Sequence, residues 1–220
     1  MRNKAVVLLS GGLDSATVLY LAKSQGFKCF CLIFDYGQRH RREIESAKRV
    51  AQASGCTYQI LKINLPWKGS SLLDRKLEVP QLKNLKTKKL KNLIPTTYVP
   101  ARNIIFLSFA LSFAETIKAQ AIFIGAHAQD YSGYPDCRPE FFAAFGRMAK
   151  AGTFGRFSIL TPLLRKNKSQ IILLGKKLKV PFNLTWSCYR GAKQPCGKCG
   201  SCYYRAKGFK QAGIADPLIK

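Results

Sequence analysis

Lys4-Ala5-Val6-Val7-Leu8-Leu9-Ser10-Gly11-Gly12-Leu13-Asp14-Ser15-Ala16-Thr17-Val18-Leu19 is the stretch on which the fold turns. Ala5 to Leu9 form an apolar run too short for a membrane span, and Lys4–Leu9 reads as a buried strand. Two glycines follow at once, letting the backbone bend sharply and approach a ligand with no Cβ in the way. From Asp14 to Gln25 the apolar residues Val18, Leu19 and Ala22 share one face, predicting a helix. A helix that opens directly after such a bend directs its first, unpartnered amides and the positive end of its dipole at whatever lies above the strand, which suits an anion. Ser10 and Ser15 add hydroxyl donors. Asp14 is placed to orient a metal ion or to cap the helix.

Working outward, the same rhythm repeats. Phe30–Asp35 reads as a second strand, Arg41–Ala53 as a helix with Ile44, Ala47 and Val50 at helical spacing, and Tyr58–Ile63 as a third strand. Strand, helix and strand in alternation imply a parallel sheet covered on both faces. Residues 64–94 break the pattern with Pro66, Gly69, Pro80 and a lysine-rich run. There Leu82, Leu85, Leu90 and Leu93 would share one side of a basic amphipathic helix. The expectation is a solvated flap near the active site, with a membrane-surface or RNA-contacting helix as the alternatives. Order returns with helices at Asn103–Lys118, Pro139–Lys150 and Lys168–Leu178 and short strands at Ala121–Ile124 and Ser158–Thr161. Two units are expected: an α/β domain over 1–183, with the basic insertion at 64–94, and a cysteine-bearing C-terminal module over 184–220.

Composition narrows the class. Hydrophobic residues make up 47% of the 220 residues, ordinary for a globular protein. The apolar start is shorter than the core of a signal peptide and runs straight into glycines and Asp14, so a soluble, cytoplasmic protein is expected. Lys and Arg outnumber Asp and Glu by 37 to 11, a formal +26. Such a field attracts anions of any kind, but the lysines are scattered along the chain and identify no partner.

Of eight cysteines, Cys29, Cys31, Cys56 and Cys137 are dispersed, whereas Cys188, Cys196, Cys199 and Cys202 crowd one segment. Without an export signal that crowding points to a metal before disulfides. Four soft ligands suit a closed, structural tetrahedral zinc site. The Cys-x2-Cys-x2-Cys spacing also suits an iron–sulfur cluster. Other polar and aromatic strings stand where strands are expected to end: Asp35-Tyr36-Gly37-Gln38-Arg39-His40, Tyr98-Val99-Pro100-Ala101-Arg102-Asn103 and Asp130-Tyr131-Ser132-Gly133-Tyr134-Pro135-Asp136-Cys137-Arg138. Arginines, carboxylates and aromatic planes together suit a flat heterocycle carrying a carboxylate. His40 and His127 are expected as hydrogen-bonded pocket residues.

Ser10-Gly11-Gly12-Leu13-Asp14-Ser15 resembles the PP-loop signature of the ATP pyrophosphatase superfamily. It is neither a Walker loop, since no Gly-Lys-Ser/Thr follows, nor a Gly-x-Gly-x-x-Gly turn. With the strings above, with Thr185-Trp186-Ser187-Cys188-Tyr189-Arg190 and with the cysteine cluster, the chain resembles the 7-cyano-7-deazaguanine synthase family from its first strand through Phe209. The resemblance implies a Rossmann-like fold of the adenine nucleotide alpha hydrolase type. The reaction it implies turns 7-carboxy-7-deazaguanine and ammonia into a nitrile with ATP, through an adenylated intermediate. It further implies ATP held by Leu9 through Leu19 (Leu9, Ser10, Gly11, Gly12, Leu13, Asp14, Ser15, Ala16, Thr17, Val18 and Leu19). Ser10, Asp14, Ser15 and Lys168 would act on the phosphates together with Mg²⁺. Tyr36, Gln38, Arg39, Arg102, Asp130, Tyr134, Asp136 and Arg138 would line the deazaguanine pocket. Zinc is implied on the four clustered cysteines, as is a homodimer; nucleic acid is not required. Two other readings stand beside this one: a thiolase-like tRNA-modifying PP-loop enzyme, for which Cys137 is the sulfur-carrying candidate, and a zinc-ribbon RNA-binding protein.

Overall fold

The computed structural model describes residues 3–81, 94–127 and 133–219. Asp130 and the leucines expected to form a basic helix at 82–93 lie outside them. Five parallel strands make one sheet in the order β3-β2-β1-β4-β5: β1 Lys4–Leu8, β2 Lys28–Asp35, β3 Thr57–Lys62, β4 Ala121–Phe123 and β5 Ser158–Leu160. Helices α1 Leu13–Ser24, α2 Arg42–Ala53, α3 Arg102–Thr116, α4 Pro139–Gly152, α5 Lys168–Lys177 and α6 Gly200–Gln211 cover it. The expected α/β class holds, and each strand and helix expected within the described residues is present with no end shifted by more than two residues. α6 was not expected: its sequence, Gly-Ser-Cys-Tyr-Tyr-Arg-Ala-Lys-Gly-Phe-Lys-Gln, carries no continuous apolar stripe.

Alternation along the strands builds two cores. Ala5, Val7, Cys29, Cys31, Ile33, Ala121 and Phe123 face α1, α2, α5 and α6. Val6, Leu8, Leu32, Phe34 and Ile122 face α3 and α4. Phe34 stacks flat on Phe106 of α3, with centroids 4.0 Å apart and planes 3° off parallel. α6 lies on α5 and sends Phe209 into the first core.

A third, small core gathers Val79, Trp186, Cys188, Cys199 and Cys202. A lone antiparallel bridge between Gln81 and Cys199 ties the residue 64–81 loop to it. Below it, the buried Arg205 guanidinium donates to both oxygens of Asp216 at 2.7 and 2.8 Å, to Thr185 Oγ1 at 2.7 Å and to the Phe182 carbonyl at 3.1 Å. That clamp holds the segment leading to Trp186, whose amide donates to the Gly11 carbonyl at 2.9 Å. The cysteine segment is thereby joined to the glycine bend by a direct hydrogen bond.

Strand order reverses between β1 and β4. In open parallel sheets the crevice beyond the carboxyl ends of the strands at such a switch point is where ligands bind.

Candidate active site

Each strand of the central pair ends in a glycine-containing turn. Gly11, at φ +83°, follows β1 and packs against α2: a Cβ there would stand 2.5 Å from the Ala47 amide nitrogen and closer still to the Glu43 carbonyl. Gly125 follows β4 and is also tightly packed, since its Cβ would meet the Ser15 nitrogen at 3.0 Å. Both glycines therefore let neighbouring backbone close onto the start of α1. Within the bend the Ser15 hydroxyl donates to the Gly12 carbonyl at 3.1 Å and accepts from the Ser10 amide at 3.2 Å. The Gly12 amide donates to Ser10 Oγ at 3.3 Å. Gly12 is the N-cap residue, and no side chain caps α1. The first amides of the helix are thus left for a ligand.

Asp14 does not cap the helix. Lys168, the first residue of α5, reaches across to both of its carboxylate oxygens at 2.8 Å and to His127 Nε2 at 2.9 Å. A cation at the positive end of a helix opposes the dipole. α5 tolerates it because Asp14 compensates and because Asn167 with Gln170 closes a capping box over the same turn. Asp14 is 25% exposed and Lys168 12%. Burial pushes the Asp14 carboxyl up, but the Lys168 ammonium and the His127 ring outweigh it and hold the group well below the usual carboxylate range.

A cavity of about 1320 Å³, counting its open mouth, lies over this bend. Leu9, Ser10, Gly12, Asp14 and Ser15 form one wall; Tyr36, Gln38, Arg102, Tyr134 and Asp136 form another. Gly11, Leu13, Ala16, Thr17, Val18 and Leu19 stand behind the first wall, most of them in the core. Arg39 turns away and donates to the Asp74 and Leu77 carbonyls at 2.9 and 3.0 Å, pinning the loop after β3. Arg138 is exposed at the start of α4 and is not part of the wall.

The second wall is built by α3. Ala101 adopts a left-handed conformation (φ 56°), strained for a residue with a Cβ, and its amide donates to the Tyr98 hydroxyl. Asp136 Oδ2 accepts from the Asn103 amide at 2.9 Å, while Asn103 Nδ2 donates to the Asp136 carbonyl and to Cys137 Sγ at 3.1 Å each. Asp136 therefore caps α3 from a distant loop and sets Arg102 in place. Arg102 donates to the Tyr36 hydroxyl at 3.3 Å and lies over the Tyr36 ring. Burial works against its charge, but Tyr36, Cys137 and Asp136 hold the guanidinium ionised. Gln38 spends its amide on the Tyr36 nitrogen and the Phe34 carbonyl, bracing the turn that presents Tyr36. Tyr98 and Tyr134 stack at 5.8 Å with planes 21° apart, a flat aromatic flank. Sequence reasoning expected His127 in the pocket but assigned no site role to Glu43, Asn103 or Trp186. Of these only Glu43 carried a local signal, His-x-x-Glu at a helix start.

The four clustered cysteines converge as expected. Their Sγ atoms all lie within 4.8 Å of one another, and Cys196 and Cys202 are 3.9 Å apart. A tetrahedral ion with metal–sulfur bonds of about 2.3 Å spaces its ligands about 3.8 Å apart. Amides of Arg190 and Cys196 donate to Cys188 Sγ, and that of Cys199 to Cys196 Sγ, each at 3.4 Å. Thiolates, which accept from N–H groups, gain from this arrangement. The cluster fits a metal of that kind.

No described helix is long and apolar enough to cross a membrane. Residues 4–213 match the family model described as queuosine biosynthesis protein QueC. A protein from Nostoc sp. named 7-cyano-7-deazaguanine synthase is 50% identical over 222 residues, covering 98% of this chain and 96% of its own length. Another of that name, from Picrophilus torridus, is 52% identical over 219 residues, with 98% and 90% covered. Among solved structures, the NMN synthetase from Francisella tularensis covers 97% of this chain and 78% of its own at a TM-score of 0.54. Its identity of 16% makes that a likeness of fold alone. By sequence match over nearly its whole length, the chain belongs to the QueC family of queuosine biosynthesis proteins.

Proposed function

We propose that the chain carries out the reaction for which its relatives are named, making 7-cyano-7-deazaguanine from 7-carboxy-7-deazaguanine and ammonia at the expense of ATP, as a C–N bond-forming ligase. The observation that carries this reading is one cavity with two unlike walls. One offers free helix amides and hydroxyls beside the Asp14–Lys168 pair; the other offers a half-buried arginine and stacked phenol rings. The first suits a triphosphate and the second a planar heterocycle with an acidic substituent.

The chemistry follows from what each wall supplies. A carboxylate is a poor electrophile, and transfer of AMP to it with loss of pyrophosphate makes it reactive. Ammonia then displaces AMP to give the amide, and a second activation of the amide oxygen allows loss of that oxygen to leave the nitrile. The bend amides, Ser10, Ser15 and Lys168 stabilise charge on the phosphates, which is chiefly electrostatic work. Mg²⁺ bound together with ATP would supply further neutralisation of phosphate charge, while Lys168 holds both Asp14 oxygens. Arg102, Tyr36 and Tyr134 orient the deazaguanine, with Asp136 and Gln38 fixing the wall behind them. Asp130 is assigned to the same pocket from sequence alone. Residues 184–220 serve as the zinc-binding module of this cytoplasmic enzyme, and a homodimer is the assembly we assign.

Incubation with ATP, Mg²⁺, ammonium and 7-carboxy-7-deazaguanine, followed by mass spectrometry, is expected to show the nitrile. Metal-replete protein that makes no nitrile but thiolates tRNA would establish the thiolase-like reading instead. Cys188→Ser is expected to bind well under one zinc per chain by metal analysis. It is also expected to melt at lower temperature, since such sites supply about 10–16 kcal/mol to the folding of small modules. Full zinc occupancy in the variant would overturn the ligand set.

A further inference from the structure

At the end of β2 the chain turns into α2 and buries a histidine beside the phosphate-binding bend. His40 is 2% exposed and belongs to the cavity wall. Its Nε2 stands 2.8 Å from Glu43 Oε2. An ionised carboxylate only accepts hydrogen bonds, so Nε2 carries the proton and Nδ1 of the neutral ring keeps its lone pair. Among the described residues Nδ1 has no hydrogen-bond partner. Buried polar atoms nearly always have one, and the exceptions call for an explanation such as a ligand that supplies it. The pair is also held rigidly. Glu43 lies in the turn of α2 that packs on Gly11, the His40 ring is flanked by Tyr189 at 5.8 Å, and Gly191 leaves just enough room for its Cα. An imidazole aligned by a carboxylate, at the wall of the reaction cavity and with its second nitrogen buried and unpartnered among the described residues, has the build of a general base.

We propose that His40, aligned by Glu43, takes a proton from ammonium at the amide-forming step. The inference rests on the reaction assigned above. Near neutral pH ammonia is mostly ammonium, whose nitrogen has no lone pair with which to attack. The N–H bond of ammonium breaks, its electron pair remains on nitrogen, and the proton passes to Nδ1, leaving an imidazolium bonded to Glu43. The freed ammonia forms a bond to the acyl carbon, and the C–O bond to AMP breaks with its electrons going to the phosphate. A second proton, shed as the adduct collapses, goes to solvent. His40 is on this account a catalytic residue, and Glu43 is a positioning residue.

Hydroxylamine separates this role from others, because it is uncharged near neutral pH and attacks acyl-adenylates without losing a proton first. Wild type, His40→Gln and Glu43→Gln are compared in three assays: carboxylate-dependent exchange of pyrophosphate into ATP, hydroxamate formation with hydroxylamine, and amide plus nitrile formation with ammonium chloride. For His40→Gln, exchange and hydroxamate are expected near wild type, with the ammonium reaction reduced about 10²-fold or more. Glu43→Gln is expected to fall less, in kcat/KM for ammonium and without change in KM for ATP. An undiminished ammonium rate in His40→Gln overturns the proposal. So does a parallel loss of hydroxamate, which would mark His40 as structural. Absence of exchange in wild type would instead remove the underlying reaction, a failure distinct from both.

Discussion

Gly11→Ala is expected to lose both stability and nucleotide-dependent activity. The new Cβ would fall 2.5 Å from the Ala47 nitrogen and nearer to the Glu43 carbonyl, and both are backbone atoms inside the first turns of α2. Neither can swing aside as a side chain would. Left-handed backbone adds about 1–2 kcal/mol for a residue with a Cβ, and overpacking typically adds about 1–3 kcal/mol. A drop in Tm on the order of 10 °C follows for a chain of this size. Gly26→Ala is the control. Its φ is +86°, but nothing lies within 4 Å of the new Cβ, so only the conformational part applies. Equal melting temperatures for the two variants would show that close packing of the bend on α2 is not what the glycine provides. Because Gly11 also accepts from the Trp186 amide, pyrophosphate release is expected to suffer even where the variant folds.

Lys168→Met keeps the length and apolar stem of the side chain and removes its charge. The variant is expected to lose about 10²–10³-fold in kcat/KM, the usual loss when one preorganised donor to developing charge is removed. Its effect on folding has a sign that pH reveals. In wild type the Asp14 pKa is depressed, so its stabilising contribution is fully present above the unfolded value of about 3.9 and fades as pH falls through the lower folded value. Without Lys168, burial acts on Asp14 with only His127 opposing it. The stability gap between wild type and variant is therefore expected to be widest near neutral pH and to close as pH drops below about 4. Breaking a wholly buried pair costs about 3–5 kcal/mol. Water reaches Asp14, so the gap is expected to be smaller, about 1–3 kcal/mol. A gap that stays constant between pH 3 and 7 in denaturant titrations would remove Asp14 as the partner that matters.

How legible the molecule was differs from one element to the next. Ser10 through Ser15 announced the sharp bend into α1 because a strand, two glycines and a helix start are contiguous, so local sterics are enough to read it. The cysteine cluster was legible for the same reason: its ligands share one short loop. α6 was not, since what makes it helical is burial of Cys202, Arg205, Gly208 and Phe209 against partners far along the chain. Arg39 and Arg138 looked like substrate arginines by composition, yet one is consumed by carbonyls of the loop after β3 and the other faces water. Asp136 and Gln38 reach the cavity, but their hydrogen bonds hold backbone in place, a duty that no spacing in the sequence announces.

From the amino-acid order alone came the parallel α/β class, the glycine bend after β1 and the four-thiol cluster, all read from local patterns and governed by local geometry. Only the folded chain decided that Lys168 meets Asp14 and His127, 154 and 41 residues away along the chain. The fold likewise set Trp186 on Gly11 and buried His40 Nδ1 without a partner among the described residues. These outcomes depend on which strand lies beside which and on how closely helices settle onto the sheet. Distance along the chain carries no record of either.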